Sequence, residues 1–178
     1  YVEVEAPNIE IPTGDFERLC DALYAQWDLI NVLANVPTLT KIQTVLRSGD
    51  WKVTCALFKN TKTNEYEILD IWPGYFDGPI FGAALDLGST TIAGHLCDLE
   101  KGRVICSAGI MNPQIKFGED LMSRVSYAMM NHVGTKEMSS SVIEGINNLL
   151  KDLCDKANIT RSLILELVIV GNPVMHHL

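Results

Sequence analysis

The sequence predicts an α/β protein made of two consecutive domains, a small α+β domain followed by a domain in which strands precede helices. Three observations predict this fold class. Apolar residues recur at helical spacing in some segments of the 178-residue chain and alternate or run continuously in others. Proline and glycine cluster at positions 73–79, where such residues are typical of a domain boundary. The predicted domains are residues 1–79 and residues 80–178.

The first domain is predicted to hold two amphipathic helices and a hairpin. Apolar side chains at positions 16, 19, 20, 23 and 27 line one face of a helix over residues 16–30. A second helix follows Thr38, and Gly49 is placed to end it. The segments 51–58 and 65–72 then alternate as strands around a polar turn, which completes a small α+β unit.

The second domain is predicted to begin with a meander of strands over residues 80–87, 91–99 and 103–110, with a turn at 100–102. Helices are expected over residues 119–132 and 136–156, and a buried strand over residues 165–172. We expect this last strand to run parallel to the first strand of the meander in the same sheet.

Composition and charge exclude several classes of function. Hydrophobic residues make up 47% of the chain, enough for a real core, and the formal net charge is −8. An acidic chain without clustered lysine and arginine is a poor partner for nucleic acid or an anionic membrane surface. The apolar runs are shorter than the roughly 20 residues that span a bilayer. The sequence therefore predicts no nucleic-acid partner and no membrane, and a cytoplasmic location.

The five cysteines are odd in number and widely spaced, so neither a disulfide framework nor a zinc site is expected. We interpret them as reduced thiols that fill the core. The chain also begins without methionine, and its last residues read as the start of a helix. It is therefore expected to be a piece of a longer polypeptide.

The stretch AALDLGSTTIAGHL, residues 83–96, carries the most specific chemistry. A glycine in a tight turn lets a ligand approach the main chain, and successive N–H groups in such a turn form an anion site. Ser89, Thr90 and Thr91 add hydroxyl donors beside Gly88. Asp86 directs a carboxylate to the same place. A carboxylate would repel phosphates unless a cation such as Mg²⁺ lies between the two groups. The alternative is an ordinary glycine turn flanked by threonines.

The order of meander, helices and strand resembles the first half of the actin-like, ribonuclease-H-like ATPase fold, whose first hairpin carries a phosphate motif. The segments NPQIKFGEDLMSRVSYAM (112–129) and VIVGNPVMHHL (168–178) sharpen the resemblance. With the hairpin, they resemble the ATP-dependent reductive activators of corrinoid proteins. The resemblance implies that residues 1–79 are the small middle domain of that family. It implies that residues 80–178 are the truncated N-terminal portion of its ATPase domain.

The resemblance implies ATP and Mg²⁺ as ligands, with Asp86 holding Mg²⁺ through water and acting in catalysis. The implied cofactor-binding residues are Asp86, Gly88, Ser89, Thr90, Thr91, Asn112, Gln114, Gly171 and Asn172. Glu119 and Asp120 are candidates for a Mg²⁺–water ligand or general base, or else are acids favoured in the first turn of a helix. Asn112 and Gln114 either line the cleft or cap their loop, and Gly171-Asn172 either meets the ligand or only turns the chain.

Such activators use ATP to drive an electron from an iron–sulfur cluster to cob(II)alamin of a corrinoid methyltransferase protein, restoring cob(I). The implied partner is that corrinoid protein, and a homodimer is possible. A [2Fe–2S] cluster is expected only in an N-terminal domain outside this chain, because the plant-type C-x₄-C-x₂-C spacing is absent here. The alternatives are a small-molecule kinase of the same superfamily and a non-catalytic dimerisation or partner-docking module.

Overall fold

The structure, a computed structural model, describes residues 1–10 and 12–177. The chain divides into two compact units, Tyr1–Gly78 and Pro79–Leu178. The fold is a mixed α/β fold, as predicted, with one four-stranded sheet in each unit. No helix within the described residues is both long enough and apolar enough to cross a membrane.

The first unit packs two helices on a four-stranded sheet. Its elements are β1 (Val2–Glu3), α1 (Asp15–Trp27), β2 (Val32–Ala34), α2 (Val36–Ser48), β3 (Lys52–Asn60) and β4 (Glu65–Pro73). The sheet order is β1-β3-β4-β2, with β3 and β4 antiparallel and β2 parallel to β4. Helix α2 begins where the Asn35 side chain accepts a hydrogen bond from the Thr38 amide at 2.9 Å. Leu19, Leu46 and Ile68 are fully buried at the centre of this unit.

The second unit carries the predicted meander and the predicted parallel strand. Its elements are β5 (Phe81–Leu87), β6 (Thr91–Asp98), β7 (Arg103–Met111), α3 (Leu121–Met130), α4 (Gly134–Ala157), β8 (Ile164–Gly171) and α5 (Pro173–His177). Turns of 3₁₀ helix occupy Pro113–Phe117 and Arg161–Leu163. The sheet order is β7-β6-β5-β8, and β8 runs parallel to β5. The prediction of an antiparallel meander joined by a parallel strand is confirmed.

One face of this sheet is covered by α4, which packs on β6 and β7. The core between helix and sheet includes Leu85 and Ile92 from the strands and Leu149 from the helix. Because side chains alternate along a strand, Asp86 points to the opposite face. There it lies beside Val170 in the neighbouring strand, and both side chains are exposed.

Helix α3 is shorter than predicted at both ends, because it covers Leu121–Met130 instead of residues 119–132. Asp120 is the N-cap, with extended backbone angles, so it precedes the helix. The turn between β6 and β7 falls where predicted. Asp98 accepts hydrogen bonds from the Glu100 and Lys101 amides at 3.1 and 2.9 Å. These bonds lower the pKa of Asp98, and the bond from Lys101 has the largest effect.

Candidate functional site

The candidate site is the tip of the hairpin that joins β5 to β6. The Gly88 amide donates a hydrogen bond to the Thr91 carbonyl oxygen at 3.0 Å, so Ser89 and Thr90 form a two-residue loop between the strands. A loop this short holds its peptide groups in a narrow range of directions. The hairpin predicted around Gly88-Ser89-Thr90 is confirmed.

Gly88 is needed at this tip for a reason other than unusual backbone angles. Gly74 and Gly102 adopt left-handed φ angles, whereas Gly88 does not. A Cβ placed on Gly88 would lie 2.5 Å from the Thr91 carbonyl oxygen, far inside van der Waals contact. Glycine therefore allows the two strands to close into the tight hairpin, and the close approach is within the protein itself.

The tip presents a set of unused hydrogen-bond donors. Within residues 1–10 and 12–177, the amides of Ser89 and Thr90 have no hydrogen-bond acceptor, and the hydroxyls of Ser89, Thr90 and Thr91 have no partner. Thr90 and Thr91 are exposed and Ser89 is half-buried. Backbone and hydroxyl donors concentrated on one turn are suited to binding an anion such as a phosphate.

Asp86 lies two residues before the tip, on the exposed face of the sheet. It pairs with Ala93 on β6 and with Val170 on β8, whose side chains carry no charge. No hydrogen bond or ion pair joins the Asp86 carboxylate to any other described residue. An exposed carboxylate beside unused anion-binding donors is consistent with a hydrated Mg²⁺ ion bridging to phosphate.

The carboxyl end of β8 lies at the same end of the sheet as the hairpin. Gly171 pairs with Leu87 in the parallel register. A Cβ on Gly171 would lie 3.2 Å from the Leu87 carbonyl oxygen, which is tight. The following Asn172 accepts a hydrogen bond from the Met175 amide at 3.1 Å and caps the short helix α5. The structure thus brings Gly171 to the hairpin base, and the Asn172 side chain serves the local turn.

Asn112 contacts the hairpin from the end of β7. Its side-chain Nδ2 donates to the Gly88 carbonyl oxygen at 2.8 Å, and its backbone amide donates to the Thr90 carbonyl oxygen at 2.7 Å. Its Oδ1 accepts from the Gln114 amide at 2.9 Å, and Nδ2 also lies 3.8 Å from the Met175 sulfur. Asn112 is 1% exposed, so its side chain caps the following turn and holds the hairpin.

Two polar side chains near this turn are buried with unused hydrogen-bonding atoms. Gln114 is 2% exposed, and its Oε1 has no partner within the described residues. Arg124 is completely buried, and its Nε donates to the Gly118 carbonyl oxygen at 2.8 Å while neither terminal nitrogen has a partner there. Burial lowers the pKa of Arg124, and Asp120 opposes that shift. Arg124 was not a candidate from sequence, because arginine is usually exposed and no local pattern marks this one.

Glu119 and Asp120 differ in what the structure assigns to them. Asp120 accepts hydrogen bonds from the Ser123 amide at 2.8 Å and from the Ser123 hydroxyl at 3.0 Å, and these bonds lower the pKa of Asp120. Its carboxylate is therefore the cap of α3. Glu119 is exposed and has no partner among the described residues. Its role as a Mg²⁺–water ligand or general base stays a prediction.

The cysteines are buried or half-buried, and burial raises the thiol pKa of Cys20 and Cys55 among them. Burial, with smaller contributions from Asp21 and Glu17, raises the pKa of the Cys20 thiol to about 11. Burial also raises the pKa of Cys55 to about 12. Thiolates are the metal-binding form of cysteine, so such thiols are poor ligands. No cluster of histidine, cysteine, aspartate and glutamate within residues 1–10 and 12–177 is arranged to hold a metal ion.

Anaerobic reconstitution of this chain with iron and sulfide is expected to give no stoichiometric [2Fe–2S] absorption spectrum. The physical reason is that the cysteines lack the spacing of a [2Fe–2S] motif and that burial raises the pKa of Cys20 and Cys55. A plant-type [2Fe–2S] ferredoxin, treated in parallel, is the positive control. A stoichiometric cluster on this chain alone would show that its cysteines do act as ligands.

The fold and the site define a class, an α/β protein with a hydroxyl-rich glycine hairpin and a nearby carboxylate, unpaired among the described residues, at one end of a sheet. The chain belongs to the RACo family. The family profile described as the RACo middle region matches residues 81–178, and the one described as the RACo linker region matches residues 1–78. These profile names differ from the domain names that the resemblance implied. The linker profile covers the residues expected to be a middle domain, and the middle-region profile covers the residues expected to be the ATPase domain.

Two relatives carry names that describe corrinoid activation. The chain is 33% identical over 100 residues to the "Corrinoid activation enzyme RamQ" of Eubacterium limosum, a match that covers 56% of this chain and 17% of that protein. It also matches the solved structure titled "Reductive activator for corrinoid,iron-sulfur protein", with 29% identity and a TM-score of 0.79. That match covers 99% of this chain and 28% of the solved chain. The chain therefore spans less than a third of the length of either relative.

Proposed function

We propose that this chain is part of an ATP-dependent reductive activator that returns cob(II)alamin of a corrinoid methyltransferase protein to cob(I). Membership of the RACo family and the names of both relatives support this proposal. The electron would come from a [2Fe–2S] cluster in a part of the protein outside this chain. The corrinoid protein would be the partner, and the reaction would take place in the cytoplasm.

Residues 80–178 would supply the first part of an actin-like ATPase domain, and residues 1–79 would be a small domain preceding it. The observation that carries this proposal is the hairpin tip. There Ser89, Thr90 and Thr91 have donors, and the nearby Asp86 a carboxylate, that no other described residue uses. The donors fit the phosphates of ATP, and Asp86 fits a water ligand of Mg²⁺. When bound, Mg²⁺ would neutralise phosphate charge that would otherwise repel Asp86.

ATP can promote electron transfer only if the nucleotide and the corrinoid partner favour the same conformation of the activator. In this scheme the hairpin residues bind and orient the phosphates, and hydrolysis of ATP resets the complex. Asp86 would be the residue that makes nucleotide binding depend on metal.

The Asp86→Ala variant of the intact protein is expected to bind ATP about 10- to 150-fold more weakly than the wild type in the presence of Mg²⁺. This range corresponds to the loss of one charge-assisted contact, roughly 1.5–3 kcal/mol. Without Mg²⁺ the variant should bind ATP at least as tightly as the wild type, because the carboxylate then only repels the phosphates. Calorimetric ATP titrations with Mg²⁺ and with a chelator measure both conditions.

The matched control is Asp155→Ala, which removes an exposed carboxylate from the end of α4. Its affinity for ATP should equal that of the wild type. An equal loss of affinity with and without Mg²⁺ in Asp86→Ala would contradict the metal role. Unchanged affinity under both conditions would remove the hairpin from the nucleotide site.

A further inference from the structure

Asn112 is hydrogen-bonded to the hairpin tip, although it lies 24 positions further along the chain than Gly88. Asn112 donates two hydrogen bonds to the tip, one from Nδ2 to the Gly88 carbonyl oxygen and one from its amide to the Thr90 carbonyl oxygen. Both distances, 2.8 and 2.7 Å, are short for N–H···O bonds. The side chain is 1% exposed, so water does not compete for these contacts.

These bonds determine which way the peptide group after Gly88 faces. The peptide bond is planar and trans, so its C=O and N–H groups point in opposite directions. Since the Gly88 carbonyl oxygen points to Asn112, the Ser89 amide of the same peptide group points away from Asn112. The Thr90 carbonyl oxygen is likewise held on the Asn112 side. The Gly88 and Thr90 carbonyl oxygens are the negative ends of their peptide dipoles. Both therefore point away from the surface on which the Ser89 amide is presented.

The orientation of the Asn112 amide is itself fixed by its neighbours. Nδ2 donates to a carbonyl oxygen, while Oδ1 accepts from the Gln114 amide at 2.9 Å. The site therefore requires a side chain with one donor and one acceptor. Aspartate has the same shape but, when ionised, has only acceptors. It would place a negative charge against the Gly88 carbonyl oxygen.

We propose that Asn112 is a positioning residue for the phosphate hairpin. Asn112 turns the Gly88 and Thr90 carbonyl oxygens away from the nucleotide, so that the Ser89 amide faces the phosphates. This inference rests on the proposed function of the hairpin and adds the residue that orients it. Asn112 does not touch the nucleotide in this assignment. Its effect on phosphate binding passes through the Gly88–Ser89 peptide group.

The test is the Asn112→Asp variant of the intact protein, titrated with ATP and Mg²⁺ at several pH values. At neutral pH we expect ATP to bind roughly 10- to 100-fold more weakly than to the wild type, because the peptide group loses its donor and faces a charge. As the pH falls, the buried carboxyl takes up a proton and becomes a donor again. The ratio of variant to wild-type dissociation constants should therefore decrease toward one at low pH.

Two control variants separate positioning from a loss of stability. Asn131→Asp removes a bond of the same kind, from Nδ2 to the Tyr127 carbonyl oxygen at 2.9 Å, at the exposed C-cap of α3. Leu150→Ala opens the core away from the tip, where the side chain is 4% exposed, and should lower the unfolding temperature. Both controls should bind ATP as the wild type does.

If Asn112→Asp weakens ATP binding no more than Leu150→Ala does, or if its loss of affinity is independent of pH, the positioning role is wrong. If Asp86→Ala also leaves ATP affinity unchanged, the proposed nucleotide site fails as a whole. A loss of affinity in Asp86→Ala with none in Asn112→Asp would overturn only the role of Asn112.

Discussion

The Leu153→Ala variant is expected to lower the free energy of unfolding of the second unit by about 2–5 kcal/mol. Leu153 is completely buried and packs with Phe81, Ala83, Leu96 and Leu150 between α4 and the sheet. Truncation removes buried methyl groups and leaves a cavity, because close-packed neighbours relax only in part. The lost stability concerns the sheet that carries the hairpin, because α4 covers that sheet.

Hydrogen exchange of peptides from β5 and β6 in the intact protein measures this change. Tryptophan fluorescence would not serve, because the chain has three tryptophans and all of them, Trp27, Trp51 and Trp72, lie in the first unit. A loss of this size should speed the slowest exchange by roughly 30- to 5,000-fold when exchange follows the unfolding equilibrium. Lys151→Ala, at an exposed position of the same helix, should leave these rates unchanged. Equal exchange in both variants would show that Leu153 is not part of the stabilising core.

The architecture of the second unit could be predicted because its signals are local. Apolar runs predict its strands, residues 100–102 predict a turn, and a long amphipathic segment predicts its main helix. The strand β2 was missed because it is only three residues long and pairs with β4 through a parallel register set by tertiary contacts. The start of α3 was misplaced because an acidic residue can be either a cap or a first-turn residue. The bonds from Ser123 to Asp120 are what distinguish the two.

The candidate site was predictable in its residue types and not in its contacts. The glycine, hydroxyls and carboxylate of residues 86–91 predict a tight hairpin, which the structure confirms. Their spacing alone fits either a phosphate site or an ordinary glycine turn, and the phosphate role stays a prediction. The bonds from Asn112 to Gly88 and Thr90 depend on how β7 pairs with β6, which no local pattern reveals. Arg124 shows the limit most clearly, since a fully buried guanidinium runs against the ordinary preference of its residue type.

The Gly88→Val variant is expected to lose more ATP affinity than any variant that only shortens a side chain at the tip. A Cβ at this position would lie 2.5 Å from the Thr91 carbonyl oxygen, so valine forces the strands apart. The Gly88–Thr91 hydrogen bond and the Asn112–Gly88 hydrogen bond are then both strained or broken. Ser89 and its neighbours would no longer present their donors together, and losing two such contacts corresponds to roughly 100- to 10,000-fold in affinity.

Three comparisons identify the cause of that loss. Gly109→Val adds the same side chain to β7, where the nearest atom to a new Cβ is the Ile92 carbonyl oxygen at an ordinary 3.5 Å, and should bind ATP normally. Ser89→Ala and Thr90→Ala remove hydroxyls and keep the backbone, so each should lose less affinity than Gly88→Val. Basal reduction of the corrinoid protein without ATP should be unchanged in Gly88→Val, because the electron does not pass through the hairpin in the proposed scheme. Full ATP affinity in a folded Gly88→Val protein would mean that the hairpin is only a structural turn, whereas loss of ATP stimulation with intact basal reduction would assign it to ATP coupling.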